Sequence, residues 1–112
     1  VVDAAMNDLI RPALYSAYHP IEVVGPPSKK KKKVDIVGPV CESGDCFANS
    51  RELPETKAGE FLSIGCAGAY GLSMASNYNT RTKPTEVLVD GTNSKIIRKR
   101  ETLGQLWKEE LI

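Results

Sequence analysis

The alternation of apolar and polar residues is clearest near the carboxyl end of the chain, in the stretch PTEVLVDGTNSKIIRKR, residues 84–100. Two runs rich in valine, isoleucine and leucine flank the sequence Asp90-Gly91-Thr92-Asn93. An Asp-Gly pair between two such runs is a turn signal, because glycine adopts the positive φ that tight hairpin turns require. The pattern therefore predicts two antiparallel strands joined by a short turn.

Three further apolar runs have the length and the residue types of strands. They cover residues 19–24, residues 34–37 with an extension to Cys41, and residues 61–66. Glycine and proline lie at or near their ends, as is usual for strands that end in turns. With the hairpin, these runs give five or six strands. The pattern predicts a single mainly β domain over residues 1–112, with short helices at its edges.

Helical spacing occurs near the amino end, where apolar residues recur at Met6, Leu9, Ile10 and Leu14. Pro12 prevents one continuous helix here, since proline lacks a backbone donor and disfavours the helical conformation of the residue before it. Proline suits the first position of a new turn. We therefore expect a kinked or single-turn helix, in which Arg11 and Tyr15 lie one turn apart and can point the same way.

Two more short helices are expected in the second half of the chain. The stretch AGAYGLSMASNYN, residues 67–79, favours a loop that leads into a short helix or irregular turn. In the final ETLGQLWKEELI, Thr102 and Gln105 have the spacing of a capping box. This last helix carries an apolar stripe that is expected to pack into the core, formed by Leu103, Leu106, Trp107 and Leu111.

Residues 28–33, with the sequence SKKKKK, are the low-complexity segment of the chain. Five consecutive lysines repel one another and favour solvation, which predicts a flexible loop between two strands. Contact with nucleic acid or another acidic surface is the alternative. The chain has 15 basic and 14 acidic residues and a net charge of +1, so no global field attracts such a partner.

The composition excludes several other classes of protein. No apolar stretch approaches the about 20 residues that cross a bilayer, and no signal peptide precedes the first strand, so no membrane partner is expected. The three cysteines are Cys41, Cys46 and Cys66. Their spacing is unlike that of zinc sites, and the chain has one histidine, so no metal is expected. The odd number of cysteines favours a reducing cytoplasm.

The stretch GPVCESGDCFA, residues 38–48, places a thiol beside a carboxylate where an apolar run stops. One interpretation is a polar turn after a strand. The other is half of an active site, because a strand end fixes the backbone while the loop after it can present side chains to a ligand.

Four segments together resemble the carboxy-terminal domain of the diaminopimelate decarboxylase family. The enzymes of this family use pyridoxal 5'-phosphate (PLP) and are grouped with ornithine and arginine decarboxylases. The segments are DAAMNDLIRPALYSAYHPI, DIVGPVCESGD, AGAYGLSMASNYN and PTEVLVDG. The resemblance runs in order from Val2 to about Arg100. It implies a β-sandwich or Greek-key barrel-like domain with the alanine-racemase-like architecture, following a (β/α)8 barrel that is absent from this chain and carries the Schiff-base lysine.

The resemblance also implies roles for five residues in the decarboxylation of meso-2,6-diaminopimelate to L-lysine and CO2. Cys41 matches the catalytic thiol that donates a proton at the α-carbon. Glu42 matches the carboxylate that receives the distal ammonium of the substrate, and Arg11 and Tyr15 match groups that bind its distal carboxylate. Tyr70 matches a tyrosine that binds substrate and the cofactor phosphate. Without the resemblance, the interpretation favoured for Cys41 is a buried small hydrophobe, the usual environment of a free cysteine. The corresponding alternatives are a solvated turn residue for Glu42, a surface ion pair for Arg11 and a core tyrosine for Tyr70.

The resemblance implies a head-to-tail homodimer. The expected partners of this chain are the barrel domain and the small-molecule substrate. The expected location is the cytoplasm or, in a plant, the plastid. Cys41 and Glu42 would reach the partner's barrel, while Arg11, Tyr15 and Tyr70 serve the barrel of their own chain. The alternative is a non-catalytic homologue, a regulatory or structural β domain that pairs with decarboxylase subunits. Three features depart from the family pattern: Cys46 in place of a bulky apolar residue, Cys66 in place of aspartate, and the lysine run.

Overall fold

The computed structural model describes residues 1–111, so the last residue of the predicted 1–112 domain lies outside the described part. Its elements, in chain order, are α1 (Arg11–Tyr15), β1 (Ile21–Val23), β2 (Lys31–Val37), β3 (Cys46–Pro54), β4 (Leu62–Ile64), α2 (Gly71–Met74), a 3-10 turn (Tyr78–Thr80), β5 (Glu86–Asp90), β6 (Asn93–Arg98) and α3 (Leu103–Leu106). The mainly β class with short helices is confirmed.

The six strands pair two by two in antiparallel ladders. β1 pairs with β4, β2 with β3, and β5 with β6. The sheet domain is therefore built from three short ladders, and no continuous barrel of hydrogen bonds closes within residues 1–111. The predicted hairpin at Gly91 is confirmed: Gly91 has a φ of 58°, and Asp90 pairs with Asn93 across the turn.

The prediction of a flexible loop over residues 28–33 is wrong for its second half, because Lys31–Lys33 begin β2. Successive side chains of a strand point to opposite faces, which separates neighbouring lysines. Lys31 forms an ion pair with Glu52 at 3.2 Å, and Lys32 forms one with Glu55. Carboxylates on and just after β3 thus offset part of the repulsion that favours a loop.

The apolar pattern predicts no strand over residues 46–54, where the structure has β3. The ladder of β2 and β3 shifts register between Val34 and Ile36, which pair with Arg51 and Ala48. Ser50 lies in this irregularity with a φ of 48°, and its backbone N–H donates to Asp35 at 2.7 Å. A bulge of this kind breaks the period of two on which strand prediction depends.

The core lies in the first two-thirds of the chain. It is formed by the buried residues Leu9, Ile21, Ile36, Phe47, Ala48 and Leu53. Val2, Ala4, Leu62, Ile64 and Ala67 pack against it. Strands β1 to β4 and the amino-terminal segment thus form one packed unit.

The carboxy-terminal elements extend away from this core. The predicted capping box of α3 is confirmed, since Thr102 N–H donates to the Gln105 side chain at 2.7 Å. The prediction that the apolar stripe of α3 packs into the core is wrong, because Leu103 and Trp107 are 55% and 44% exposed. Burial depends on which partner surface is present, and local spacing does not determine it.

Candidate functional site

Helix α1 sets the positions of Arg11 and Tyr15, which are its first and last residues. Pro12 lies in its first turn, where a missing N–H costs no helical hydrogen bond. Ser16 ends the helix in the left-handed conformation, with a φ of 53°. The predicted single-turn helix is confirmed. Arg11 is half-buried, and Tyr15 is exposed.

Tyr70 lies immediately before α2, and the Arg11 guanidinium packs against its ring. The Arg11 guanidinium carbon lies 5.4 Å from the centroid of the Tyr70 ring, which is a cation–π contact. None of the ion pairs within residues 1–111 involves Arg11. A guanidinium on an exposed tyrosine, without a carboxylate of its own chain, is suited to an external anion.

The backbone of Tyr70 is unusual for a bulky residue. Its φ is 64°, in the left-handed region that aromatic residues rarely adopt. Its carbonyl accepts the Met74 N–H at 3.2 Å and so begins α2. Strained backbone of this type concentrates at functional sites, where the surrounding structure holds a side chain in a required direction.

Cys41 and Glu42 lie in the turn that connects β2 to β3, and both are exposed. Buried Asp45 organises this turn: its carboxylate accepts the Val40 N–H and the Met6 N–H, each at 2.7 Å. Its backbone carbonyl accepts the Gly38 N–H at 3.0 Å. The aspartate of the CESGD stretch is therefore a structural residue, and it presents the thiol and the glutamate on the surface.

The structure adds one residue that sequence reasoning did not select. The Tyr78 hydroxyl donates to Oε2 of Glu42 at 2.8 Å. This hydrogen bond, then the negative charge of Glu42, with smaller effects of desolvation and of Cys41, raises the pKa of Tyr78 above its usual value. No local pattern links positions 42 and 78. The signal that the sequence offered was a tyrosine in the polar stretch SNYN.

The five predicted site residues form two separate groups. Arg11, Tyr15 and Tyr70 belong to α1 and the segment before α2, while Cys41 and Glu42 lie in the β2–β3 turn with Tyr78. No hydrogen bond, ion pair or cation–π contact within residues 1–111 joins the two groups. Two cavities, of about 510 and 220 Å³, are lined by other residues. Five of these six residues are exposed and Arg11 is half-buried, so both groups reach the surface.

The other cysteines differ in their surroundings. Cys46 begins β3, is half-buried, and donates its thiol to Oδ1 of Asn49 at 3.3 Å. Cys66 is exposed in the turn after β4, with a φ of 55°. All three cysteines are free.

In the described part of the chain, no group of three or more histidine, cysteine, aspartate or glutamate side chains is placed to hold a metal ion. No helix of residues 1–111 has the length and apolarity to span a bilayer.

Comparison with known proteins identifies the class. The chain belongs to the pyridoxal-dependent decarboxylases: the family described as "Pyridoxal-dependent decarboxylase, C-terminal sheet domain" matches residues 1–68. Among curated relatives, the diaminopimelate decarboxylases of Neisseria meningitidis serogroup A and Aquifex aeolicus are each 54% identical to it over 111 residues, or 99% of this chain. The chain spans about a quarter of their length, 27% and 26% respectively.

Solved structures show the same relationship. The diaminopimelate decarboxylase of Helicobacter pylori complexed with L-lysine matches with a TM-score of 0.91 and 48% identity, covering 97% of this chain and 27% of that one. The enzyme of M. jannaschii in co-complex with L-lysine matches with a TM-score of 0.93 and 44% identity, covering 98% and 25%. The present fold is therefore that of the sheet domain in these enzymes.

Proposed function

We propose that this chain is the sheet domain of a PLP-dependent carboxy-lyase that converts meso-2,6-diaminopimelate to L-lysine and CO2, in lysine biosynthesis. The observation that carries the proposal is the 54% identity to diaminopimelate decarboxylases over nearly the whole chain. Arg11, Tyr70, Cys41 and Glu42 are solvent-accessible in this chain, and this supports their use toward a ligand held by a further domain.

Arg11, Tyr15 and Tyr70 fit the anionic groups of substrate and cofactor. The guanidinium offers a planar fork for bidentate binding of a carboxylate. The Tyr70 ring lies against it, and Tyr15, at the other end of the same helical turn, adds a second exposed hydroxyl. A phosphate accepts hydrogen bonds from the same donors. We therefore infer that Arg11 and Tyr15 bind the distal carboxylate and that Tyr70 also contacts the PLP phosphate. A substrate such as ornithine lacks the distal carboxylate and would lose this interaction.

Cys41 and Glu42 supply the remaining groups. PLP, when bound, delocalises the electron pair that stays on the α-carbon after the bond to the carboxylate breaks and CO2 leaves. The Cys41 thiol then donates its proton to that carbon and recovers one from solvent. The Glu42 carboxylate receives the distal ammonium in a charge-assisted contact. We infer the head-to-tail homodimer that the family resemblance implies, in which each turn serves the partner's barrel; the absence of a contact between this pair and Arg11 within residues 1–111 supports it. We propose the cytoplasm as the location of the enzyme.

The test is a chimera in which this chain replaces the corresponding part of the Neisseria meningitidis enzyme. We expect release of CO2 from meso-diaminopimelate in the presence of PLP. Cys41→Ala should lower kcat by about 100-fold or more, the range for loss of a general acid. Cys66→Ala is the matched control, since Cys66 is also exposed, and it should leave kcat within about twofold. A folded, PLP-binding chimera without activity would instead support a non-catalytic homologue.

A further inference from the structure

The hydrogen bond between Tyr78 and Glu42 joins two segments that are distant in sequence. The Tyr78 hydroxyl donates to Oε2 of Glu42 at 2.8 Å, and Oε1 of the same carboxylate accepts no hydrogen bond within residues 1–111. A carboxylate with one oxygen held and the other open has a defined direction of approach for a cationic group. The bond therefore fixes the group that would meet the substrate ammonium.

The glutamate side of this bond is rigidly supported. Asp45 is buried, and its carboxylate holds the turn at Val40 and the amino-terminal segment at Met6. Within the turn, the Glu42 carbonyl accepts the Asp45 N–H at 3.0 Å. The backbone of Glu42 is thus fixed, and its side-chain torsions remain the free variables.

The segment that carries Tyr78 is held by Asn7, the residue next to Met6. The backbone carbonyl of buried Asn7 accepts the Ser76 N–H at 3.0 Å, and its side-chain oxygen accepts the Arg81 Nε–H at 2.9 Å. These two bonds bracket Tyr78. Asn79 and Thr80 follow it with φ values of 56° and 58°, a strained turn that sets the direction of the tyrosine.

We propose that Tyr78 is a positioning residue that orients the Glu42 carboxylate toward the ammonium of the substrate. Met6 and Asn7 form the common support of both partners, so the phenol and the carboxylate are held in one geometry before substrate arrives. The inference rests on the proposed function, in which Glu42 binds the ammonium. A tyrosine hydroxyl is protonated, and therefore a donor, throughout the physiological range, and the hydrogen bond to Glu42 raises the pKa of Tyr78 further.

The first test is Tyr78→Phe in the chimera, with Tyr18→Phe as the matched control. Removal of the Tyr78 hydroxyl frees the Glu42 torsions, so we expect KM for diaminopimelate to rise about tenfold, the size of a hydrogen bond to a charged group. The value of kcat should change by less than about twofold, because Tyr78 contacts no reacting atom. Tyr18 is 74% exposed and packs under Arg51 through its ring, so loss of its hydroxyl should change neither constant.

A double variant separates positioning from a general loss of structure. In a Glu42→Gln background, Tyr78→Phe should raise KM little further, because both substitutions remove the same oriented charge. If the active chimera keeps its KM when Tyr78 becomes Phe, or if the two effects multiply, the positioning role is wrong.

A second measurement does not depend on activity. In the full 112-residue chain, NMR titration of tyrosine Cζ resonances should show that the Tyr78 phenol ionises above the usual pKa of about 10. That resonance should be missing in Tyr78→Phe and should return toward the usual value in Glu42→Gln. Unchanged titration in Glu42→Gln would overturn the contact. An inactive wild-type chimera with the shifted phenol present would overturn the proposed function and leave the positioned carboxylate established.

Discussion

Cys66 occupies a backbone conformation that its side chain does not favour. With a φ of 55° it lies in the left-handed region, which asparagine and aspartate tolerate better than other residues with a Cβ. Aspartate is also the residue that the family resemblance implies at this position. Substitution of Cys66 by asparagine or aspartate should therefore relieve the backbone strain at this position.

We expect Cys66→Asn to raise the free energy of unfolding by about 0.5–1 kcal/mol, as relief of left-handed strain. Urea denaturation of the 112-residue chain measures the change. Cys66→Val is the control of similar size, and its β-branch should lower stability. An Asn variant no more stable than the parent would show that the turn relaxes around cysteine.

Glu101 connects the segment around Asn77 to the strand region before β5. Its carboxylate accepts the Lys83 N–H at 3.0 Å and an amide hydrogen of Asn77 at 2.6 Å. These hydrogen bonds, the backbone bond being the largest cause, lower the pKa of Glu101 below its usual value of 4.5. A carboxyl with a lowered pKa in the folded state stabilises the fold above its unfolded pKa, and this contribution is lost as pH falls through the folded pKa.

Substitution Glu101→Gln removes this acid-sensitive contribution. We expect the parent chain to melt at a higher temperature than the variant at pH 7, with the difference shrinking as pH falls below about 4.5. Melting curves from pH 7 to pH 3 measure it. Glu22→Gln is the control, because Glu22 is exposed and its side chain forms no hydrogen bond or ion pair within residues 1–111. A difference that is constant with pH would contradict the role of the charge.

At the scale of elements, the β2–β3 turn depends on the absence of a side chain at Gly38. A Cβ at this position would lie 2.6 Å from Cγ of Asp45, far inside contact distance. Asp45 cannot retreat without losing its bonds to Val40 and Met6. The turn that presents Cys41 and Glu42 is therefore sensitive to a single methyl group.

Gly38→Ala should lower the free energy of unfolding by about 1–3 kcal/mol, the range for overpacking a well-filled site. Gly68→Ala is the matched control, since a Cβ there meets no atom within 4 Å, and its effect should stay within about 0.5 kcal/mol. Equal effects of the two substitutions would show that the turn adapts. Chemical denaturation of both variants makes the comparison.

Elements with local signals were predictable, and elements that depend on distant partners were not. The Asp90-Gly91 hairpin, the single turn at Arg11 and the capping box at Thr102 each follow from neighbouring residues. The pattern does not predict β3 because a bulge at Ser50 breaks its alternation. It does not predict the strand at Lys31–Lys33 because the counter-charges of Lys31 and Lys32, on Glu52 and Glu55, are more than 20 residues away in the sequence. For the same reason the resemblance supplied five candidate site residues, and Tyr78 required the structure.

At the scale of the whole molecule, buried and exposed apolar residues are divided along the chain. The core cluster lies between Leu9 and Leu53, while β5, β6 and α3 expose most of their apolar side chains. Val87, Leu88, Val89, Ile96 and Ile97 are each at least 50% exposed. The stability of this chain therefore comes from its amino-terminal part.

Two leucines test this division. Leu53→Ala should lower the free energy of unfolding by about 2–5 kcal/mol, because Leu53 is 6% exposed and its loss leaves a cavity in the core. Leu88→Ala removes the same atoms from a side chain that is 55% exposed, and its effect should stay within about 0.5 kcal/mol. Urea denaturation followed by circular dichroism measures both. A large effect at Leu88 would show that β5 contributes to the cooperative core.

The shared support at Met6 and Asn7 has a consequence for how the domain opens. The amide of Val40 is held by Asp45, which Met6 also binds, and the amide of Ser76 is held by Asn7. Opening of either segment would disturb the Met6–Asn7 backbone, so the two segments should open as one cooperative unit. In native-state hydrogen exchange, Val40 and Ser76 should then show matching protection free energies and lose protection at the same denaturant concentration, while the hairpin amides of β5 and β6 exchange at lower free energies.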